Sequence, residues 1–211
     1  MPKMTRKTSR HTAARASGSG SSRPGRLDLA LGAVGRAMRR LPARWYLFGG
    51  QAVALHGAPR ATQDIDVTVL AEASVLEVLA ALRAEGIVPR LEDPAFIATT
   101  RVIPAEHRAS GWKVDVVLGS PGLEEVIASR AVTRRVGRVA VPLLRLEHLL
   151  TLKVLADRPR DVADVSRLLS VNAAKVDVEE VRELLVALEE ALAEGGLVAR
   201  FDRILESVRP R

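Results

Sequence analysis

The chain has 211 residues, 47% of them hydrophobic and only 3% aromatic, with no cysteine and a formal net charge of +7. That length holds one domain, or one domain with a small helical appendage, around an aliphatic core that buries about 70% of the unfolded surface. The lack of cysteine excludes disulfides and thiolate metal sites and suggests a reducing cytoplasm, and no apolar stretch approaches the roughly 18 residues that a membrane span needs.

Residues 1–26 hold Lys3, Arg6, Lys7, Arg10, Arg15, Arg23 and Arg26 and no acid, so this segment carries the whole charge excess. Rich in Ser, Gly, Arg and Thr, it reads as a disordered basic tail that attracts nucleic acid weakly. The composition also suits a transit peptide, but no amphipathic stripe supports that. Leu27 to Leu41 has helical periodicity and stops at Pro42. "WYLF" (45–48) is a short strand that runs into Gly49-Gly50, "QAVALHG" (51–57) a short helix, and "APRATQ" (58–63) a turn. "DIDVTVL" (64–70) alternates as a strand, and Ala71 to Glu85 reads as a helix ending at Gly86. Residues 87–110, with Pro89, Pro94 and Pro104, are irregular with room for one or two edge strands. "WKVDVVLG" (112–119) is a strand, Pro121 opens a helix at its first turn, and "RVAVPLL" (138–144) is a short strand. Helices follow at roughly 145–156, 160–170, 177–194 and 196–208. The expected class is α+β, a mixed sheet flanked by helices over 27–144 with a C-terminal helical part over 145–211.

Two carboxylates interrupt the strand at 64–70. Alternation points Asp64 and Asp66 the same way, roughly 6.5–7 Å apart, with Ile65 and Val67 on the opposite face. Like charges on one face repel and resist burial, so such a face is either solvated or holds a cation. Magnesium suits the second case, being a hard ion that takes one or two carboxylates plus substrate phosphates. Asp115 likewise interrupts an apolar strand, sharing a face with Lys113 and Val117. If the two strands are neighbours, three carboxylates meet on one surface and suit a two-metal phosphoryl-type displacement. Gly49-Gly50 lets the backbone approach a ligand closely, and the helix that follows presents free N–H groups to phosphate.

"GGQAVALHGAPRATQDIDV" (49–67) resembles the signature of the DNA polymerase beta-like nucleotidyltransferase superfamily: a Gly pair, about a dozen residues, then Asp-x-Asp. Asp115 matches the third carboxylate of that pattern. Within the superfamily, "ALHGAPRATQDIDV" is most similar to small bacterial proteins of the AbiEii and MenT toxin type. Their C-terminal Lys and later Arg-Asp pair have counterparts in Lys153, Arg160, Asp161 and Asp164 of "LEHLLTLKVLADRPRDVADVSRLL" (146–169). Toxins of this type often carry Gly-Ser where this chain has Gly49-Gly50, so the resemblance does not carry over a role for a serine hydroxyl or its self-modification.

The resemblance implies the nucleotidyltransferase fold and an enzyme that binds a nucleoside triphosphate with magnesium in a two-metal site. Asp64 and Asp66 would hold the metals, and Asp115 would ligate the second ion and help deprotonate the attacking hydroxyl. The backbone of Gly49 and Gly50, with Arg60 and Thr62 from the turn, would contact phosphate, and Lys153 would neutralise triphosphate charge. Asp161 belongs to this catalytic set or is an ordinary first-turn acid; both readings stand. Arg134, Arg135, Arg138, Arg158 and Arg160 would join Lys153 in a positive wall opposite the aspartates, or lie on a solvated surface. Such a wall suits an RNA acceptor such as a tRNA 3′ end, and a toxin of this type would have a cognate antitoxin partner. Three other readings remain: an aminoglycoside-type small-molecule nucleotidyltransferase, a non-catalytic or antitoxin-like nucleotide-binding module, and a DNA-binding protein acting through its basic arm. His56 reads as helix-end packing, and His148 faces no recognisable partner.

Overall fold

The computed structural model describes residues 26–208. The basic tail therefore lies outside the described residues except for Arg26, which opens the first helix. In chain order the elements are α1 (Arg26–Arg39), β1 (Ala43–Phe48), α2 (Gly49–Leu55), β2 (Asp64–Ala71), α3 (Val75–Ala84), β3 (Ile87–Pro89), α4 (Pro94–Thr100) and β4 (Val102–His107). There follow β5 (Trp112–Leu118), α5 (Leu123–Ser129), β6 (Val132–Val136), β7 (Val139–Leu143), α6 (Leu146–Ala156), α7 (Pro159–Asn172), α8 (Val178–Leu192) and α9 (Leu197–Val208).

The strands form one seven-stranded mixed sheet in the order β3-β4-β5-β2-β1-β7-β6. β2 lies parallel to β5 and antiparallel to β1, at the centre. On β2 the fully buried Ile65 and Val67 alternate with Asp64 and Asp66, and on β5 Val114 and Val116 alternate with Lys113 and Asp115. Each buried aliphatic contributes roughly 1.5–3 kcal/mol, which is enough to keep these strands in the sheet despite the carboxylates on their other face. α1 covers the aliphatic face, where its Gly35 approaches Trp45 of β1. Tyr46 and Phe48, on the alternate positions of β1, share the aspartate face with α2 and α5. The helices α6 to α9 pack on one another, and α6 also rests on α2. Among the described residues no helix is long and apolar enough to cross a membrane.

Several expected boundaries shift for local reasons. β2 runs to Ala71, and α3 starts only at Val75, because Ser74 and Glu77 form a reciprocal capping box. α5 starts at Leu123, after Gly122, so Pro121 precedes the helix and does not open it. The region 87–110 holds a short helix, α4, capped by Asp93. Of its two strands only β3 is an edge; β4 lies inside the sheet despite Pro104. The carbonyl of Pro104 accepts from the Arg90 N–H on the β3 side, so the N–H that proline lacks is not needed by β5. β6 was not expected, since "VTRRV" breaks apolar alternation; it forms because Gly137, at φ 57°, turns it back onto β7.

Candidate active site

The register of the two central parallel strands sets Asp66 directly beside Asp115, and Asp64 beside Lys113. Asp64, Asp66 and Asp115 open onto one cavity of about 590 Å³. Its lining also includes Gly49, Gly50, Arg60, Thr62, Lys153, Arg158, Arg160 and Asp161. Every residue singled out for catalysis, phosphate or metal thus faces a single space. Asp115 and the Asp64/Asp66 pair share one face of the sheet.

The glycine pair belongs to the first turn of α2. Gly49 adopts φ 66°, and a Cβ there would fall on the Asp66 carboxylate. A Cβ on Gly50 would meet Thr62 Oγ1 at 2.7 Å and the Arg60 guanidinium at 3.1 Å. Gly49 therefore requires glycine for conformation and close approach, and Gly50 for close approach alone. The backbone N–H of Gly50 faces Asp66 and favours its ionised form.

Burial, and next the neighbouring Asp115 carboxylate, push Asp66 from 3.8 up to about 6, against the lowering effect of the Gly50 N–H. Among the described residues neither Asp64 nor Asp66 has a cationic side chain at salt-bridge distance. Asp115 differs, because Arg90 Nη2 donates to its Oδ1 at 2.9 Å while Arg90 Nε donates to the Ala105 carbonyl. Crowded, under-compensated carboxylates with hard oxygen donors are what a magnesium ion relieves, so the donor set fits. Among the described residues no group of three or more acidic or imidazole side chains is placed to hold a metal ion, so magnesium held here would need substrate phosphates as further ligands.

Opposite the aspartates, Lys153 is buried in α6, and its Nζ lies 2.8 Å from Asp161 Oδ1 and 2.8 Å from Asp164 Oδ2. Arg158 Nε donates to Asp161 Oδ2 at 2.5 Å, and Arg60 Nε to Asp164 Oδ1 at 2.9 Å. Burial alone raises both carboxyls. The hydrogen bonds from Arg158 and Lys153 to Asp161, and from Lys153 and Arg60 to Asp164, outweigh it and hold both below their usual value. The loop after α2 is thereby tied to α7, and the lysine is held by two helical carboxylates.

The expected positive wall is only partly present. Arg158 and Arg160 line the cavity, but Arg134, Arg135 and Arg138 do not. Arg134 and Arg135 sit on β6 and Arg138 on the turn after it, and β6 lies three strands from β2, about 14 Å across the sheet. Arg90 and the load carried by Asp164 were not anticipated. Arg90 reaches Asp115 from the end of β3, a contact that no local pattern announces. His56 packs at the end of α2, with Nε2 2.9 Å from the Leu144 carbonyl oxygen. His148 is buried, and among the described residues neither ring nitrogen has a hydrogen-bond partner.

Comparison with known proteins places this geometry in context. The sequence model described as "Nucleotidyl transferase AbiEii toxin, Type IV TA system" matches residues 36–203, well over half of the chain. No curated protein matches it. The solution structure of the antibiotic-resistance factor ANT(2'')-Ia is similar, at 16% identity over 78% of this chain and 93% of that one, with a TM-score of 0.51. The crystal structure of ANT(2'')-Ia with adenylyl-2''-tobramycin is similar over 77% of this chain and 98% of that one, at 16% identity and a TM-score of 0.51. An antigenic nucleotidyltransferase-like protein from Paracoccidioides brasiliensis is 16% identical over 84% of this chain and 91% of that one, with a TM-score of 0.47. At such identity the ANT(2'')-Ia likeness speaks to the fold alone.

Proposed function

The chain belongs to the AbiEii nucleotidyl transferase toxin family and is a nucleotidyltransferase; from that premise we propose that it transfers a nucleoside monophosphate from a nucleoside triphosphate to the terminal hydroxyl of an RNA acceptor, with magnesium. The observation that carries the reading is the pairing of Asp66 with Asp115 on adjacent parallel strands, with Asp64 on the same face. Asp64 and Asp66 would hold the metals, and Asp115 would ligate the second. Magnesium, when bound, would supply the Lewis acid that draws charge from the transferring phosphoryl group.

Asp115 takes the proton of the acceptor hydroxyl. The hydroxyl oxygen forms the new P–O bond to the α-phosphorus as the bond to the β-phosphate oxygen breaks and pyrophosphate leaves. Arg90 occupies one carboxylate oxygen of Asp115 and fixes its orientation, leaving the other oxygen without a hydrogen bond among the described residues. The Gly50 N–H favours the ionised Asp66, and the absence of side chains at Gly49 and Gly50 lets Asp66, Thr62 and Arg60 close in on the turn. Lys153, with Arg158 and Arg160 at the cavity wall, favours the triphosphate and the departing pyrophosphate. Asp161 and Asp164 keep the Lys153 ammonium in place. The type IV toxin–antitoxin family supports a cognate antitoxin as protein partner.

The test is incubation of the full chain with magnesium, each triphosphate labelled at its α-phosphate, and total cellular RNA or an aminoglycoside. Label should enter RNA, and the transfer should vanish with Asp66→Asn or with a chelator. Transfer to the aminoglycoside in place of RNA would establish the small-molecule reading. Magnesium-dependent binding of a triphosphate without transfer to any acceptor would leave a nucleotide-binding module.

A further inference from the structure

A second cavity, about 500 Å³, lies at the far end of α2 and α7 from the aspartates, with His56, Gly57, Arg134, Asn172 and Lys175 in its lining. Its charge is not balanced. Arg145 and Glu147 also line it, but they pair with each other at 3.2 Å, and Arg145 pairs with Glu180 at 2.7 Å as well. Burial lowers His56, which therefore adds no charge near neutrality. Among the described residues, Arg134 and Lys175 have no carboxylate at salt-bridge distance.

The two cavities are joined by a seam. Along α7, Arg160, Arg167 and Val171 recur at spacings of seven and four residues, which puts them on one face. All three are exposed, whereas the acids of this helix, Asp161 and Asp164, are buried and held by cations. Arg167 is paired with Asp164 at 2.7 Å, so the outer face of α7 presents Arg160 as a cation with no carboxylate at salt-bridge distance among the described residues, and no exposed carboxylate. The loop after α2 runs beside it: Gly57 lies against Val171 at the far cavity, and Arg60 covers Asp164 at the near one. From Arg160 to Lys175 the path is about 22 Å long.

We propose that this seam is the track for the phosphate backbone of the RNA acceptor, whose 3′ end occupies the aspartate cavity and whose body reaches Arg134 and Lys175. The inference rests on the RNA reading of the catalytic cavity. It reassigns Arg134 from the wall of that cavity to a separate contact, and it separates Arg134 from Arg135, which alternation turns to the other face of β6.

The test uses the full chain and two fluorescein-labelled probes, an RNA hairpin with a single-stranded 3′ end and that single strand alone. Each phosphate contact contributes about one unit to the slope of log affinity against log salt. R134Q combined with K175Q should lower the hairpin slope by about 2 and weaken hairpin binding about tenfold near physiological salt. The single-strand probe, and stabilisation of the protein by magnesium with a triphosphate, should be unchanged. R134Q alone should lower the slope by about 1, and R135Q should leave it in place. Hairpin binding by the wild type that survives R134Q with K175Q at the same slope overturns the track and leaves the second cavity to an acidic protein partner. An equal loss from R135Q overturns it too, reducing it to diffuse attraction. Failure of the wild type to bind either probe removes the RNA reading itself, while magnesium-dependent triphosphate binding still reports on the enzyme.

Discussion

Replacing Asp66 by asparagine should stabilise the metal-free protein while abolishing its activity. The folded structure raises the Asp66 carboxyl from 3.8 to about 6, first through burial and then through Asp115. Because the folded-state value lies above the unfolded one, this group contributes stability that is present below about pH 4 and is lost as pH rises through about 6. Two pK units at about 1.4 kcal/mol each set an upper bound of roughly 3 kcal/mol on the cost of the ionised form at pH 7. Water reaching a half-buried carboxylate lowers that to about 1–3 kcal/mol. Asparagine has nearly the same shape, carries no charge and still offers an oxygen to the Gly50 N–H. In thermal denaturation at pH 7 with a chelator, Asp66→Asn should melt about 3–9 °C above wild type. At pH 4 the gap should close, because wild-type Asp66 is then protonated in the fold. Magnesium with a triphosphate should raise the wild-type midpoint and leave the variant unmoved. A variant that is less stable than wild type at pH 7, or a gap independent of pH, would refute the repulsion argument.

Gly49→Ala should cost about 1–3 kcal/mol, since φ 66° is strained for alanine and the new methyl group displaces the Asp66 carboxylate. Transfer activity should fall with it by about a hundredfold or more, read in the labelled-triphosphate assay. Asp164→Asn should cost about 3–5 kcal/mol in urea denaturation by leaving Lys153 and Arg60 under-compensated. Arg158→Ala, from a side chain 73% exposed, should cost less than about 1 kcal/mol, and equal losses would contradict the buried-network account. Burial chiefly lowers His148 from its ordinary value of 6.5, so its contribution is present above about pH 6.5 and lost as pH falls below it. His148→Leu should therefore stabilise the protein by about 1 kcal/mol at pH 7.5, by removing two unpartnered ring nitrogens, and by more at pH 5.5.

The strands that carry the aspartates were legible because aliphatic residues at every second position leave one reading, and the carboxylates then fall on the other face. The C-terminal helices were equally plain from their periodicity. Misreadings occurred where the deciding interaction comes from elsewhere in the chain. Pro104 suggested an edge strand, yet β4 is interior because the side of Pro104 that lacks a donor faces β3. "VTRRV" lacks apolar alternation, yet it pairs as β6 because Gly137 folds it onto a strong neighbour. A run of arginines in sequence suggested a single wall, but the sheet order separates Arg134 from Arg158 and Arg160.

From the sequence alone came the type of site: a glycine bend, two carboxylates on one strand face, a third on a later strand, and a lysine out of place in an apolar helix. These follow from local periodicity, which covalent geometry imposes within a few residues. Tertiary structure decided what those groups meet. Parallel pairing of β2 with β5 put Asp66 against Asp115, the reach of β3 brought Arg90 onto that same carboxylate, and the packing of α6 on α7 enclosed Lys153 between Asp161 and Asp164. Such encounters depend on strand order and helix docking, which sum over the whole core and leave no mark in any short stretch of residues.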